Sequence, residues 1–401
     1  MIAGRSSGRH DGIETLRVCA MVSVVTLHAA IAYTTLPMPD LLWLVHDGSR
    51  NAACDWIAWA LQGFSMPVFF AIAGYAAAAR IDAAGADEYL ADRWRRLLVP
   101  SLGGMILLLP VTFYVWSLGW ISSGRCVLRD VLRVDFPDDI QRNLWGPAHL
   151  WFLEYLILHS LCFWTIERLR AHGRGVLPFA VPVVFSLAVL AADPQASITL
   201  RNSFLPAPGR FAFYAAFFAA GVCFRRSPLV AEGAARWKAI SGSVAALSLI
   251  AMGALLRRHL QEPLAGAALV ALALSIAAYA WSSCFAAFGA ALSAPRRHSE
   301  LVQRLGRASF CIYLVHLPAV GLAAVALSRV SAPASVEVPL VVLAGIAVGI
   351  AAHERVVERT FLGRWIGRGP KEVRQRDGER DRNRGEDQRR ERLPMRFRTG
   401  W

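Results

Sequence analysis

Long apolar runs alternate with short arginine-rich stretches along most of the chain, and the pattern stops near residue 365. A helix needs roughly 20 mostly apolar residues to cross about 30 Å of hydrocarbon, so each run reads as a candidate span. Ten are present, near residues 14–36, 54–78, 97–118, 148–167, 176–192, 208–224, 239–256, 264–288, 308–328 and 336–354. The predicted fold class is therefore all-α: a polytopic transmembrane helical bundle of about ten spans. Arg5 and Arg9 precede the first run in the manner of a signal peptide. The run is long, holds His28 and lacks a good small-residue cleavage pattern, so it is expected to be a retained helix.

Positive charge sets the expected orientation, because cytoplasmic loops carry the excess of Lys and Arg. With both termini cytoplasmic, the segments Arg80 to Arg96, Arg168 to Arg174, Arg225 to Lys238 and Arg296 to Arg307 lie inside. The segment 37–53, with Arg50 alone, lies outside. The 119–147 loop, with four arginines and four aspartates, and the Arg257-Arg258 pair run against this rule. Residues 1–365 form one membrane-embedded domain. The polar stretch 366–401 cannot bury enough apolar surface to offset its chain entropy, and reads as a disordered, charged cytoplasmic tail.

Composition sharpens this picture. Only 18% of residues are charged and 55% are hydrophobic, against about a quarter charged in soluble domains. The net charge of +14 sits between spans and in the tail, where a membrane protein needs it, and does not call for nucleic acid. Basicity is nearly all arginine, with Lys238 and Lys371 the only lysines. Seven dispersed cysteines form no C-x-x-C or Cys/His spacing, so no metal is expected. The chain has no evident internal repeat, no Gly-rich phosphate loop and no appended soluble domain.

Ionisable groups inside spans are expensive and point to function. The first run carries Glu14, Arg17 and, eleven positions after the arginine, His28. Eleven steps of about 100° bring Arg17 and His28 to one face, roughly 16 Å apart along the axis. A neutral imidazole at mid-membrane can take a proton from a hydroxyl; packing against a neighbouring helix is the structural alternative. Offsets of four and seven place Ser309, Tyr313 and His316 on one stripe, suited to the same chemistry or to an interhelical hydrogen-bond cluster. Arg93 and Arg96, three apart, can grip a phosphate or carboxylate, or simply flank a span. Phe64 to Tyr75 holds Pro67 and Gly74 inside one span, permitting a kink or close helix approach. His149, Trp151 and Glu154 open the fourth span; Glu154 is an intramembrane acid in want of a partner, and Glu358-Arg359 marks the exit of the last.

In this order, these elements resemble the acyltransferase-3 family. The carriers are Glu14, Arg17 and His28; Val68 to Tyr75; Arg93 and Arg96; His149 to Leu153; Tyr214 to Gly221; Tyr313 to His316; and Glu358-Arg359. Glu14 stands where the family usually has Asp, Ala73 where Ser is common, and Thr360 where Pro follows Glu-Arg. The nearest branch is the one typified by glucans biosynthesis protein C. The resemblance implies O-acyl transfer, of a succinyl or acetyl type group, from a cytoplasmic acyl-CoA donor to a hydroxyl of a periplasmic glucan or surface polysaccharide. It implies a location in the bacterial cytoplasmic (inner) membrane and no bound cofactor. His28 would be the catalytic base, Arg17, Arg93 and Arg96 would handle the donor, and Glu14 and His316 would stand with the base.

Two readings from other classes compete: a secondary transporter, since polar groups at mid-membrane also mark substrate pathways, and a non-catalytic export protein. Consumption of a labelled acyl thioester separates them from an enzyme. The charge pattern yields a test of its own. A reporter fused after residue 375 should be cytoplasmic and one inserted near residue 47 should face outside; both on one side would exclude the even-span arrangement.

Overall fold

The computed structural model describes residues 5–38, 40–45, 48–169, 177–198, 202–294, 299–330 and 332–359, with side chains described from Gly12 onward. The expected tail at 366–401 lies outside the described residues. Helices α1 (Arg5–Ile31), α2 (Ala52–Ala84), α3 (Ala86–Arg93) and α4 (Val99–Ser122) come first, with a π-helical turn at Trp94–Leu98 between the last two. The short α5 (Leu128–Arg133) and α6 (Asp138–Gln141) then lead to α7 (Trp151–Leu169), α8 (Ala180–Ala192) and α9 (Pro208–Arg226). The bundle is completed by α10 (Pro228–Gln261), α11 (Gly266–Ser293), α12 (Glu300–Leu327) and α13 (Ala334–Ala352). No strand occurs among the described residues. The chain divides into two compact units, Met1–Ala352 and His353–Trp401. In the second, a π turn spans His353–Val357 and His353 lies 3.6 Å from Glu358.

Each of the ten expected spans corresponds to a helix, and eight helices are long and apolar enough to cross a bilayer. The other two are α8, only 13 residues long, and α9, which carries arginine at both ends. Element ends move for local reasons. The first span stops at Ile31 rather than near 36, because the chain turns there: Asp55 accepts the backbone N–H groups of Thr35 and Leu36 and the Thr35 hydroxyl. α10 begins earlier than its apolar run, since Ser227 caps it and Pro228 supplies a preorganised first residue. Thus most of the basic segment up to Lys238, expected as a connection, is helix.

Lipid and core divide the apolar side chains. Leu102, Ile106, Leu107, Val111 and Leu118 of α4 are exposed, as are Leu247 and Ile250 of α10. Exposed aliphatic groups in such numbers suit hydrocarbon rather than water. Inside, α2 packs along α9 in parallel register: Phe70 stacks on Tyr214 at 4.7 Å, and four and twelve residues on respectively, Gly74 meets Phe218 and Asp82 meets Arg226. Arg226 also pairs bidentately with Glu167 of α7, both oxygens at 2.8 Å, so three helices are tied by one buried ion cluster.

The α2–α9 crossing requires glycine twice. A Cβ at Gly74 would stand 1.9 Å from the Phe218 carbonyl oxygen, and one at Gly221 would stand 1.9 Å from that of Ala71. Both obstacles are helix backbone, which cannot swing aside, so the expected close approach at Gly74 is observed. Gly74→Ala and Gly221→Ala should each part the helices and lower the thermal unfolding midpoint of detergent-solubilised protein by several degrees. A wild-type melting curve for either would mean that the crossing is looser than described.

Candidate active site

Two of the helices above and the entry to a third bring three histidines together. His28 belongs to the last turn of α1, His316 to the middle of α12, and His149 to the 3₁₀ turn Ala148–Leu150 ahead of α7. His28 Nδ1 lies 3.3 Å from His316 Nε2, and the ring of His149 is 5.2 Å from that of His316. Two contacts set α1 beside α12. Lower down, Arg17 donates to the Gly306 carbonyl at 3.0 Å; eleven residues on in α1 and ten in α12, the histidines meet. Only parallel helices in register satisfy both.

Backbone carbonyls fix the tautomers. A carbonyl oxygen only accepts, so a ring nitrogen in hydrogen-bond range of one carries the proton. His316 Nδ1–H donates to Tyr313 O at 2.6 Å, leaving Nε2 as a lone pair. His28 Nδ1–H is shared between Val24 O, at 2.8 Å, and that lone pair. His149 Nε2–H donates to Leu314 O at 2.9 Å. His28 is left with a bare Nε2. Of the three rings it alone is half-buried: His149 is 6% and His316 0% exposed.

Second contacts hold the rings. The indole of Trp43, from the loop after α1, stacks on His28 with centroids 5.9 Å apart. Tyr313 donates its hydroxyl to the His149 carbonyl at 2.6 Å. Ala148 takes a left-handed φ of 48°, and its N–H is held by the Asn202 side chain at 3.0 Å. That conformation is costly for alanine, and it turns the chain so that His149 enters the bundle.

The cluster opens on a cavity of about 990 Å³ at the end of the bundle where α1 finishes and α9 begins. This is the upper end of the size range of small-molecule sites. Of the residues singled out from sequence, His28, His149, Trp151, Tyr313 and His316 line it; Glu14, Arg17, Gly74, Arg93, Arg96, Glu154 and Ser309 do not. Arg17 pairs with Glu14 at 2.8 Å about three turns before His28 in α1. Ser309 donates to the same Gly306 carbonyl as Arg17, at 2.9 Å, and so supports the helix pair rather than the histidines. Arg93 lies over the ring of Tyr89 at 5.1 Å, while Arg96 is exposed. The π turn beginning at Trp94 breaks the regular helical register that would align the two arginines. Glu154 keeps one buried oxygen without a hydrogen-bond partner. Among the described residues no group of three or more His, Cys, Asp or Glu side chains could hold a metal ion.

Comparison with known proteins decides the family. The family model described as an acyltransferase domain, that of acyltransferase-3, matches residues 10–354. The chain belongs to the acyltransferase-3 family. It is a membrane acyltransferase, an enzyme that transfers acyl groups other than amino-acyl groups. No curated protein and no solved structure matches it.

For this acyltransferase, sequence reasoning missed Trp43 and Arg210, both of which line the cavity. Trp43 lies in a loop with no helical pattern to announce it. Arg210 lies at the start of α9, where an arginine looks like ordinary flanking charge; its signal was the Pro208-Gly209 helix start just ahead of the Tyr214–Gly221 motif. The Tyr313 hydroxyl gives a direct check on the site's architecture. Tyr313→Phe removes one hydrogen bond to a buried carbonyl, a loss of about 1 kcal/mol or somewhat more. It should lower the unfolding midpoint by a few degrees and slow acyl transfer measurably. Unchanged melting and turnover would show that His149 does not depend on it.

Proposed function

We propose that this acyltransferase carries an acyl group, of succinyl or acetyl type, from a cytoplasmic acyl-CoA donor to a hydroxyl of a carbohydrate outside the cytoplasmic membrane of a bacterium. The acceptor class is a periplasmic glucan or surface polysaccharide, as in the glucans biosynthesis protein C branch. The observation that carries the reading is the free Nε2 of His28, a neutral lone pair facing a cavity large enough for a sugar.

In the proposed reaction, His28 Nε2 accepts the proton of the acceptor hydroxyl as its oxygen attacks the thioester carbonyl. Collapse of the tetrahedral intermediate breaks the carbon–sulfur bond, and the imidazolium returns the proton to the departing thiolate. The products are an ester and a free thiol. While His28 is charged, its Nδ1–H stays aimed at Val24 O and His316 Nε2, so both acceptors strengthen in the charged state. His316 is accordingly a positioning residue, its own orientation fixed by the Tyr313 carbonyl. Arg17, Arg93 and Arg96 are assigned to the donor's anionic end. They lie outside the cavity, so the thioester must extend from them toward the histidines.

Transfer from labelled acyl-CoA by purified protein tests this. His28→Ala should lower turnover by about two to four orders of magnitude, the usual weight of a general base, with donor binding little changed. His316→Ala should cost less. Near-normal turnover in His28→Ala together with an inactive His316→Ala would reverse the two roles; full activity in both would remove the histidines from the chemistry.

A further inference from the structure

Helix α9 carries a buried arginine at each end, and the two are treated differently. Arg226 is paired with the carboxylates of Glu167 and Asp82. Arg210, only 7% exposed, has no carboxylate and no hydrogen-bond acceptor among the described residues. Its guanidinium carbon lies 5.7 Å from the centre of the Trp151 ring, a contact that offsets only part of what burial of a charge costs. It lines the cavity, and is the only arginine or lysine among the described residues that does so.

A second donor stands beside it. The Tyr155 oxygen accepts the Ala207 N–H at 2.9 Å, which leaves the hydroxyl hydrogen without a described acceptor. Tyr155 is 3% exposed, lines the same cavity, and packs on Trp151 with ring centroids 5.2 Å apart. The Ala207 N–H that fixes it comes from the residue immediately ahead of α9. A planar guanidinium fork, a phenolic hydroxyl and an aromatic floor thus converge on one part of the cavity wall. A carboxylate has the charge to compensate the fork and the two oxygens to engage both donors.

We propose that Arg210 and Tyr155 form a carboxylate-binding subsite within the cavity, so that one of the two substrates presents a carboxylate there. This rests on the reading of the cavity as the place where acyl group and acceptor meet. The carboxylate has two possible sources: the far end of a dicarboxylic acyl group, or an acidic sugar of the acceptor.

Equilibrium binding to the full-length protein in detergent, with only one substrate present at a time, separates them without requiring turnover. The donor pair is succinyl-CoA and butyryl-CoA; the acceptor pair is a glucuronate-containing oligosaccharide and its all-glucose counterpart. In one pair the acid should bind about 10- to 100-fold more tightly than its neutral partner, the range of a charged hydrogen bond. That pair identifies the source. Arg210→Gln should abolish the preference while leaving the neutral member's affinity unchanged. Arg210→Lys, which keeps the charge and loses the fork, should retain part of it, and Tyr155→Phe should reduce it a few-fold. Equal binding within both pairs by the wild-type protein, or a preference that survives Arg210→Gln, would overturn the subsite. Should Arg210→Gln not fold, a wild-type preference in Arg210→Lys overturns the fork. If none of the four probes binds at all, the acyl-transfer reading of the cavity falls first and takes the subsite with it. Binding is read without turnover, so loss of transfer in His28→Ala and loss of the acid preference in Arg210→Gln are distinguishable outcomes.

Discussion

The pairing of α1 with α12 is the constraint on which the site depends. In hydrocarbon no hydrophobic drive pulls one apolar helix toward another, so polar contacts and close packing must supply the specificity. Here two contacts on one face of α1 do so: Arg17 on the Gly306 carbonyl, and His28 beside His316. A shift of α12 by one residue would turn His316 about 100° away from α1 and leave Arg17 without its acceptor. Register and active-site geometry are therefore the same feature. Ser309, one turn above Gly306, adds its hydroxyl to the same carbonyl and strengthens the lower contact.

A third helix closes the arrangement from outside the pair. The Tyr313 hydroxyl reaches the His149 carbonyl while the His149 ring reaches the Leu314 carbonyl, a reciprocal exchange between neighbouring positions of α12 and the entry to α7. The His149 ring is buried, and each satisfied bond in this exchange avoids a penalty that would be severe in a dry interior. The left-handed Ala148 and the Asn202 side chain that holds it are what that entry needs.

These features differ in how far a sequence reveals them. Eight of the helices follow from apolar run length, because hydrocarbon imposes one requirement on all of them. Arg17, His28 and His316 stand out because ionisable groups in apolar runs are rare, and helical periodicity puts Arg17 and His28 on one face. What periodicity lacks is any knowledge of the partner. Nothing in the run containing His316 says that it faces His28, and nothing near Trp43 says that a loop indole will cover the ring. The spacing of Arg93 and Arg96 predicts a shared face on a regular helix, and a π turn begins between them. Arg210 and Arg226 look alike in sequence, as basic residues at the ends of one apolar run. Only the neighbours Glu167 and Asp82, distant in sequence, distinguish the compensated charge from the open one.

In the proposed reaction the histidine cluster also sets what kind of base His28 would be. Among the described residues no carboxylate bonds to any of its three rings, so an imidazolium formed at His28 meets only neutral acceptors, Val24 O and His316 Nε2. A carboxylate in that place would raise the basicity of the ring and hold the proton longer. Neutral acceptors orient the ring without that penalty on release. In the proposed reaction the base takes a proton from an alcohol and then surrenders it to a departing thiolate, so neutral acceptors suit the second half as much as a free lone pair suits the first. The low dielectric of the bundle works in the same direction: the transient imidazolium and the oxyanion it creates attract each other strongly and are extinguished together when the thiol leaves. A neutral relay therefore fits acyl transfer within a membrane better than a permanently charged triad would.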